Sequence, residues 1–250
     1  MNHNACSNTC YYAIGDIHGC YNLLVKIISL IEQDLNNNNN NILIFLGDYI
    51  DRGPDSKKVI DLLIKTQKKY KTIFLKGNHE DLLLRFINKP QKCSLLVING
   101  GLPTLNSYGV DTSVIDINNN INNNINNNNS QIYENIHKEF LNKIPKSHLN
   151  FFINTLELSY ETDKYFFAHA GVRSNIPLNK QKAEDLLWIR EPFLSESIKY
   201  EKIIIHGHSI TPKVDIHKHR IGIDTGAYHS GELTAIKLID NKFSFLSTKT

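Results

Sequence analysis

Gly47-Asp48-Tyr49-Ile50-Asp51-Arg52-Gly53 follows the apolar run Ile42-Leu43-Ile44-Phe45-Leu46 with no residue between them. The apolar run reads as a buried strand. The two carboxylates and the guanidinium then fall on the loop at its carboxyl end, where open α/β sheets bind ligands. The flanking glycines permit a turn tight enough to bring those side chains together.

The same arrangement recurs on either side. Tyr11-Tyr12-Ala13-Ile14 predicts a short buried strand ending in Gly15-Asp16-Ile17-His18-Gly19, after which Leu23, Leu24, Ile27, Ile28 and Ile31 repeat at helical spacing. Pro54 suits the first turn of a helix carrying Val59, Ile60, Leu63 and Ile64. Thr72-Ile73-Phe74-Leu75 predicts a third strand, which ends in Lys76-Gly77-Asn78-His79-Glu80 before the apolar-periodic stretch from Leu82 to Ile87. Strand, loop and helix units of this kind favour a parallel sheet covered by helices, because parallel strands need crossover connections. Further strands are expected at 156–160, 165–168, 202–205, 220–224, 233–238 and 243–246, forming a second sheet. Two of them end in His169-Ala170-Gly171 and His206-Gly207-His208.

With 250 residues, 41% hydrophobic and 9% aromatic, the chain suits one globular domain over 11–250, preceded by a flexible amino end over 1–10. The asparagine runs at 36–41 and 118–129 lack periodicity and are predicted to be insertions without packed structure. A net charge of +3 with no basic run gives no expectation of nucleic-acid binding. No apolar stretch reaches the length of a membrane span or a signal peptide, so no membrane partner and a cytoplasmic location are expected. Cys6, Cys10, Cys20 and Cys93 fit neither a disulfide framework nor a paired Cys-x-x-Cys zinc site, and are expected to be reduced. His137 and His148 fall in helical stretches and are expected to be packing residues.

Five strand ends thus present Asp, Asn or His beside glycine, a mixture of oxygen and nitrogen donors that suits divalent cations. A carboxylate can bridge two such ions about 3.5–4 Å apart, and the pair can bring the pKa of a water from roughly 15.7 to about 7. Phosphoester hydrolysis needs that nucleophile, a planar cation for the phosphoryl oxygens and an acid near the leaving oxygen. Arg52, Arg190 and His79 meet the last two needs.

Gly-Asp-Ile-His-Gly, Gly-Asp-Tyr-Ile-Asp-Arg-Gly, Gly-Asn-His-Glu, His-Ala-Gly and Gly-His, in this order, resemble the calcineurin-like metallophosphoesterases, in particular their phosphoprotein phosphatase branch. Asn99-Gly100-Gly101, Leu187-Trp188-Ile189-Arg190-Glu191 and Ile223-Asp224-Thr225-Gly226-Ala227 look like the bacterial-type serine/threonine phosphatases. The resemblance implies an α/β fold, a two-sheet sandwich flanked by helices, with a dinuclear metal site at the strand ends. It implies one metal on Asp16, His18 and Asp48 and a second on Asp48, Asn78, His169 and His208, with Asp48 bridging; His206 is the alternative to His208. The ions would be two divalent cations, manganese first, with iron, zinc or magnesium as alternatives.

By the same resemblance His79 protonates the leaving group, Asp51 orients its ring, and Arg52, Arg190 and Asn78 bind phosphate. The implied activity is phosphomonoester hydrolysis, with a serine/threonine phosphoprotein or a small phosphoester as substrate. No regulatory subunit is expected, since Lys76 stands where the eukaryotic enzymes carry Arg and their Ser-Ala-Pro-Asn-Tyr segment is missing. The alternative is a symmetrical diadenosine tetraphosphate hydrolase, which usually lacks an acid at the position of Asp51 and carries Asp at that of Glu80. A non-catalytic binding protein on the same fold is a third reading, disfavoured because no ligand position is lost.

Overall fold

The computed structural model describes residues 9–35, 40–115, 127–195, 200–240 and 242–249. Its strands are β1 (Thr9–Ile14), β2 (Asn40–Phe45), β3 (Lys71–Phe74), β4 (Ser159–Glu161), β5 (Tyr165–Ala168), β6 (Ile203–His206), β7 (Asp215–Ile216), β8 (Arg220–Gly222), β9 (Thr234–Ile239) and β10 (Lys242–Ser247). They form two five-stranded sheets, ordered β10-β9-β1-β2-β3 and β4-β5-β6-β8-β7. Each is mixed. β1, β2 and β3 run parallel, as do β5, β6 and β8, while antiparallel strands flank them.

Alternation along the strands explains the layering. Ala13, Ile42, Ile44, Ile236 and Leu238 face Phe167, Ile205 and Ile221 of the other sheet. The intervening residues Tyr12, Ile14, Leu43 and Phe45 point the opposite way, against α1 (Tyr21–Asp34) and α2 (Ser56–Gln67), where Leu24, Ile27, Val59 and Leu63 are buried. Phe166, Ala168 and Ile204 likewise turn outward from the second sheet, towards Leu186 and Phe193. A one-residue slip of β2 would exchange its two faces, so packing fixes the register. In that register Ile14 lies beside Phe45 and Phe45 beside Phe74, so the loops after β1, β2 and β3 begin side by side.

Among the described residues the other α-helices are α3 (Asn78–Asn88), α4 (Cys93–Ile98), α5 (Leu102–Ser107), α6 (Asn127–Lys143), α7 (Lys146–Asn154), α8 (Ala183–Trp188) and α9 (Ala227–Ser230). His148 of α7 is buried between Tyr108 and Asp61, at 2.9 Å from each, as suits a packing residue.

Several boundaries differ from the sequence reading. Thr9 and Cys10 belong to β1, so the expected flexible end is shorter than 1–10; residues 1–8, with Cys6, lie outside the described residues. Asn40 and Asn41 pair with Thr9 and Cys10, and Asn127 opens α6, so both asparagine runs reach into regular structure. Residues 36–39 and 118–126 of those runs lie outside the described residues. Ladder bonds to a neighbouring strand can outweigh the weak strand propensity of asparagine. The expected strand at 156–160 reduces to Ser159–Glu161 plus a single bridge between Leu75 and Glu157. Cys10, Cys20 and Cys93 are free thiols. Among the described residues no helix is long and apolar enough to cross a membrane.

Candidate active site

The loops at the carboxyl ends of both sheets meet around a cavity of about 150 Å³ whose walls include His18, Asp48, Arg52, Asn78, His79, Arg190, His208 and Asp224. Their backbones are strained in a way the rest of the chain largely avoids. His18, Asp48, Asp51, Arg52 and His208 have φ of 47°, 51°, 71°, 66° and 61°, in the left-handed region that residues with a Cβ rarely enter. Each costs on the order of 1–3 kcal/mol, and such strain gathers at functional sites. Gly77 has the complementary role: a Cβ there would collide with the carboxylate and the backbone nitrogen of Asp48.

Asp48 is the hub. Its Oδ2 lies 3.4 Å from His18 Nε2 and its Oδ1 3.4 Å from His169 Nε2, so each carboxylate oxygen addresses a different imidazole. The possible metal-ligand atoms fall into two close groups, His18/Asp48/His79 and Asp48/His169/His208, that share only Asp48. Asp16 lies outside both groups, but one of its oxygens accepts the His208 N–H at 3.0 Å and the other is buried with no partner.

Proton bookkeeping explains why this cluster suits cations. His18 Nδ1 donates to the Ile50 carbonyl and His169 Nδ1 to the Leu46 carbonyl, both at 2.9 Å, which fixes the rings so that Nε2 faces Asp48. Burial pushes His18 down to about 3 and lowers His169 and His208, so these rings are neutral with bare nitrogens. His169 Nε2 is then 2.8 Å from Asn78 Oδ1, acceptor against acceptor, and buried His208 Nε2 has no partner. Burial, with Asp224 and Asp48 nearby, raises Asp16 well above the usual carboxylate range. Converging acceptors and crowded carboxylates without a donor are what a divalent cation would satisfy, and the residues present fit two.

The family pattern for calcineurin-like phosphoesterases matches residues 11–244. The chain is a calcineurin-like phosphoesterase. It is 24% identical to an asymmetrical bis(5'-nucleosyl)-tetraphosphatase (PrpE) from Oceanobacillus iheyensis, over 94% of this chain and 91% of the relative. It is 27% identical to a symmetrical bis(5'-nucleosyl)-tetraphosphatase from Wigglesworthia glossinidia brevipalpis, over 94% and 97%. With serine/threonine-protein phosphatase 2 from Salmonella typhimurium it shares 26% identity over 91% and 92%. A chain crystallised as a candidate diadenosine tetraphosphatase superposes with a TM-score of 0.61 at 16% identity, over 96% of this chain and 93% of that one, which speaks for the fold.

In this phosphoesterase the structure brings Asp16, His18, Asp48, Asn78, His169 and His208 to one place, together with His79, Asp51, Arg52 and Arg190. His206 is elsewhere: its ring packs edge-on against Phe193 at 5.0 Å and its Nδ1 meets the Gly207 carbonyl at 3.0 Å. His79 Nδ1 donates to Asp51 Oδ2 at 2.7 Å. Burial works to lower the His79 pKa, but the charge of Asp48 and the bond to Asp51 outweigh it and carry it up to about 9. Arg190 is held by Ser209 Oγ and the His208 carbonyl, both at 3.1 Å, and the Arg52 guanidinium lies 4.9 Å over the ring of Tyr228.

Three contributors to the phosphoesterase site have roles that no motif assigns. Glu80 is fully buried and accepts the backbone N–H groups of Asp48, Tyr49 and Gly77 at 2.9, 2.8 and 2.9 Å, tying the loops after β2 and β3 together. Thr104 Oγ1 donates to Asp51 Oδ1 at 2.6 Å and accepts the Asp51 N–H at 2.8 Å, fixing the carboxylate that holds His79. Asp224 joins the cavity wall from the loop after β8. Glu80→Gln, which exchanges one acceptor oxygen for an amide donor facing N–H groups, should cost about 1–3 kcal/mol of stability. Thermal melting checks this, and an unchanged midpoint would show that the clamp contributes nothing.

Proposed function

We propose that this phosphoesterase hydrolyses bis(5'-nucleosyl) tetraphosphates. The observation that carries the reading is end-to-end similarity to tetraphosphatases of both kinds, over 94% of this chain and 91% or 97% of theirs. In the sequence Asp51 and Glu80 together weigh towards phosphomonoesters; Asp51 bears on the second reading below, and Glu80 does not bear on the choice. Its carboxylate faces backbone N–H groups and takes no part in the cavity wall, so it carries no preference between substrates.

Asp16, His18, Asp48, Asn78, His169 and His208 would hold two divalent cations, manganese first, which when bound supply polarisation of phosphoryl oxygens and acidification of water. Arg52 and Arg190 offer planar guanidinium groups to the phosphoryl oxygens. His79 is anchored at Nδ1 by Asp51, which leaves Nε2 towards the cavity, 3.5 Å from Arg52 Nη2, to deliver a proton to the leaving oxygen. Asp51 keeps that ring in one orientation, and Thr104 keeps Asp51 in place.

A second reading, a serine/threonine protein phosphatase, is favoured by the Asp51 and His79 pair, because an alkoxide leaves poorly without a proton. The deciding measurement compares kcat/KM on diadenosine tetraphosphate and on a phosphoserine peptide with added manganese. The tetraphosphate should be preferred on the order of tenfold or more. Two molecules of ADP, or ATP with AMP, would then report which bridge bond is cut. A preference for the phosphopeptide would reverse the order of the two readings.

A further inference from the structure

A second cavity, of about 530 Å³, opens beside the catalytic one, and the two share Trp188 and Arg190 as a common wall. The catalytic cavity is the smaller, at about 150 Å³, and its candidate ligands and guanidinium groups commit its walls to phosphoryl groups. The rest of a dinucleotide must therefore lie outside it. The larger cavity has a different character. Arg173 is bonded to Asp185 through Nε at 2.9 Å, and the exposed Lys182 is matched by the exposed Glu184 and Glu191. A polyanion gains little among balanced charges, whereas a neutral group with hydroxyl donors and an aromatic face gains from both the indole and the carboxylates.

We infer that this second cavity is a nucleoside subsite, in which the base stacks on Trp188 and the ribose hydroxyls donate to Glu184, while the phosphate chain passes Arg190 into the catalytic cavity. This rests on the tetraphosphatase reading. Trp188 is suited to the task because it is only half-buried and closes α8, whose Leu186 and Leu187 are buried and hold it in place. The indole is therefore positioned before a ligand arrives, which lowers the ordering cost of binding. Stacking a base on an aromatic side chain is tolerant of base identity, so the subsite would accept guanine as well as adenine.

Trp188 is the one tryptophan in the sequence, so indole fluorescence reports on the wall that the two cavities share, and a phosphate control separates them. Adenosine added to the full, manganese-supplemented chain should quench that fluorescence saturably, while inorganic phosphate at the same concentrations should not. Glu184→Ala, outside the catalytic cavity, should weaken adenosine binding by roughly three- to tenfold, the loss of one hydrogen bond to an exposed, solvated side chain. Adenosine should also compete with diadenosine tetraphosphate yet leave hydrolysis of 4-nitrophenyl phosphate within about twofold, because that substrate needs only the catalytic cavity. Flat fluorescence with adenosine in a chain that does hydrolyse the tetraphosphate overturns the subsite and leaves the tetraphosphatase reading standing. Unaltered quenching in Glu184→Ala overturns the placement of the ribose. A wild-type chain inert towards the tetraphosphate overturns the reading and the subsite together.

Discussion

Asp48→Asn is expected to empty at least one of the two metal positions and to remove nearly all turnover. Asp48 is the residue common to the two ligand groups, with one carboxylate oxygen 3.4 Å from His18 and the other 3.4 Å from His169. Asparagine keeps the shape but has no charge and one acceptor in place of two, so at most one ion retains its oxygen. Loss of a residue that merely supports a ligand costs about 10–100-fold in metal affinity, and a shared ligand should exceed that. The amide oxygen can still accept the His79 N–H, which meets Asp48 Oδ1 at 3.1 Å, so the fold should survive. Metal content by plasma mass spectrometry, beside a melting curve, separates the outcomes. Two ions per chain with near-normal turnover would remove Asp48 from its bridging place.

His79→Asn should keep both ions and lose activity in proportion to how badly the leaving group needs a proton. His79 follows Asn78 on the first turn of α3, and its Nδ1 is committed to Asp51, so removing the ring takes away a donor more than a ligand. With a phosphoserine peptide, whose leaving alkoxide is strongly basic, the loss should reach on the order of 10²–10⁴-fold, the usual worth of general acid catalysis. With 4-nitrophenyl phosphate it should be far smaller, and likewise with diadenosine tetraphosphate, whose leaving phosphate, with a second pKa of about 6, is no more basic than nitrophenolate. Equal losses on all three substrates, with chemistry rate-limiting, would make His79 an electrostatic rather than a proton-donating group. Loss of an ion in the variant would make it a ligand, as its place beside His18 and Asp48 also allows.

Much of this arrangement was legible because each strand end carries its chemistry within a few residues of a period-two apolar run. Asp16, His18, Asp48, Asn78 and His169 could each be placed at the mouth of a sheet from local spacing alone. His206 and His208 could not be separated that way. What separates them is that the ring of one meets Phe193, a contact from another element. Glu80 and Thr104 were opaque for a related reason: apart from the Gly77 N–H at the start of the same helix, their partners are backbone groups and a carboxylate 31 to 53 residues away, and no local pattern marks such a bond. β7 is two residues long, too short to display a period. The asparagines at 40 and 41 read as insertion because their strand pairing is decided by β1, not by their own propensity.

The candidate ligands are drawn from both layers of the sandwich: Asp16, His18, Asp48 and Asn78 follow strands of one sheet, His169 and His208 strands of the other. Whatever ion occupies the site is therefore a rivet through two plates that are otherwise joined here mainly by apolar contact. Loading and cohesion become one thermodynamic quantity, since an ion that binds only the assembled layers raises the free energy of separating them by RT ln(1 + [M]/Kd). In a cell, the supply of metal would then govern how long this chain persists as well as how fast it turns over.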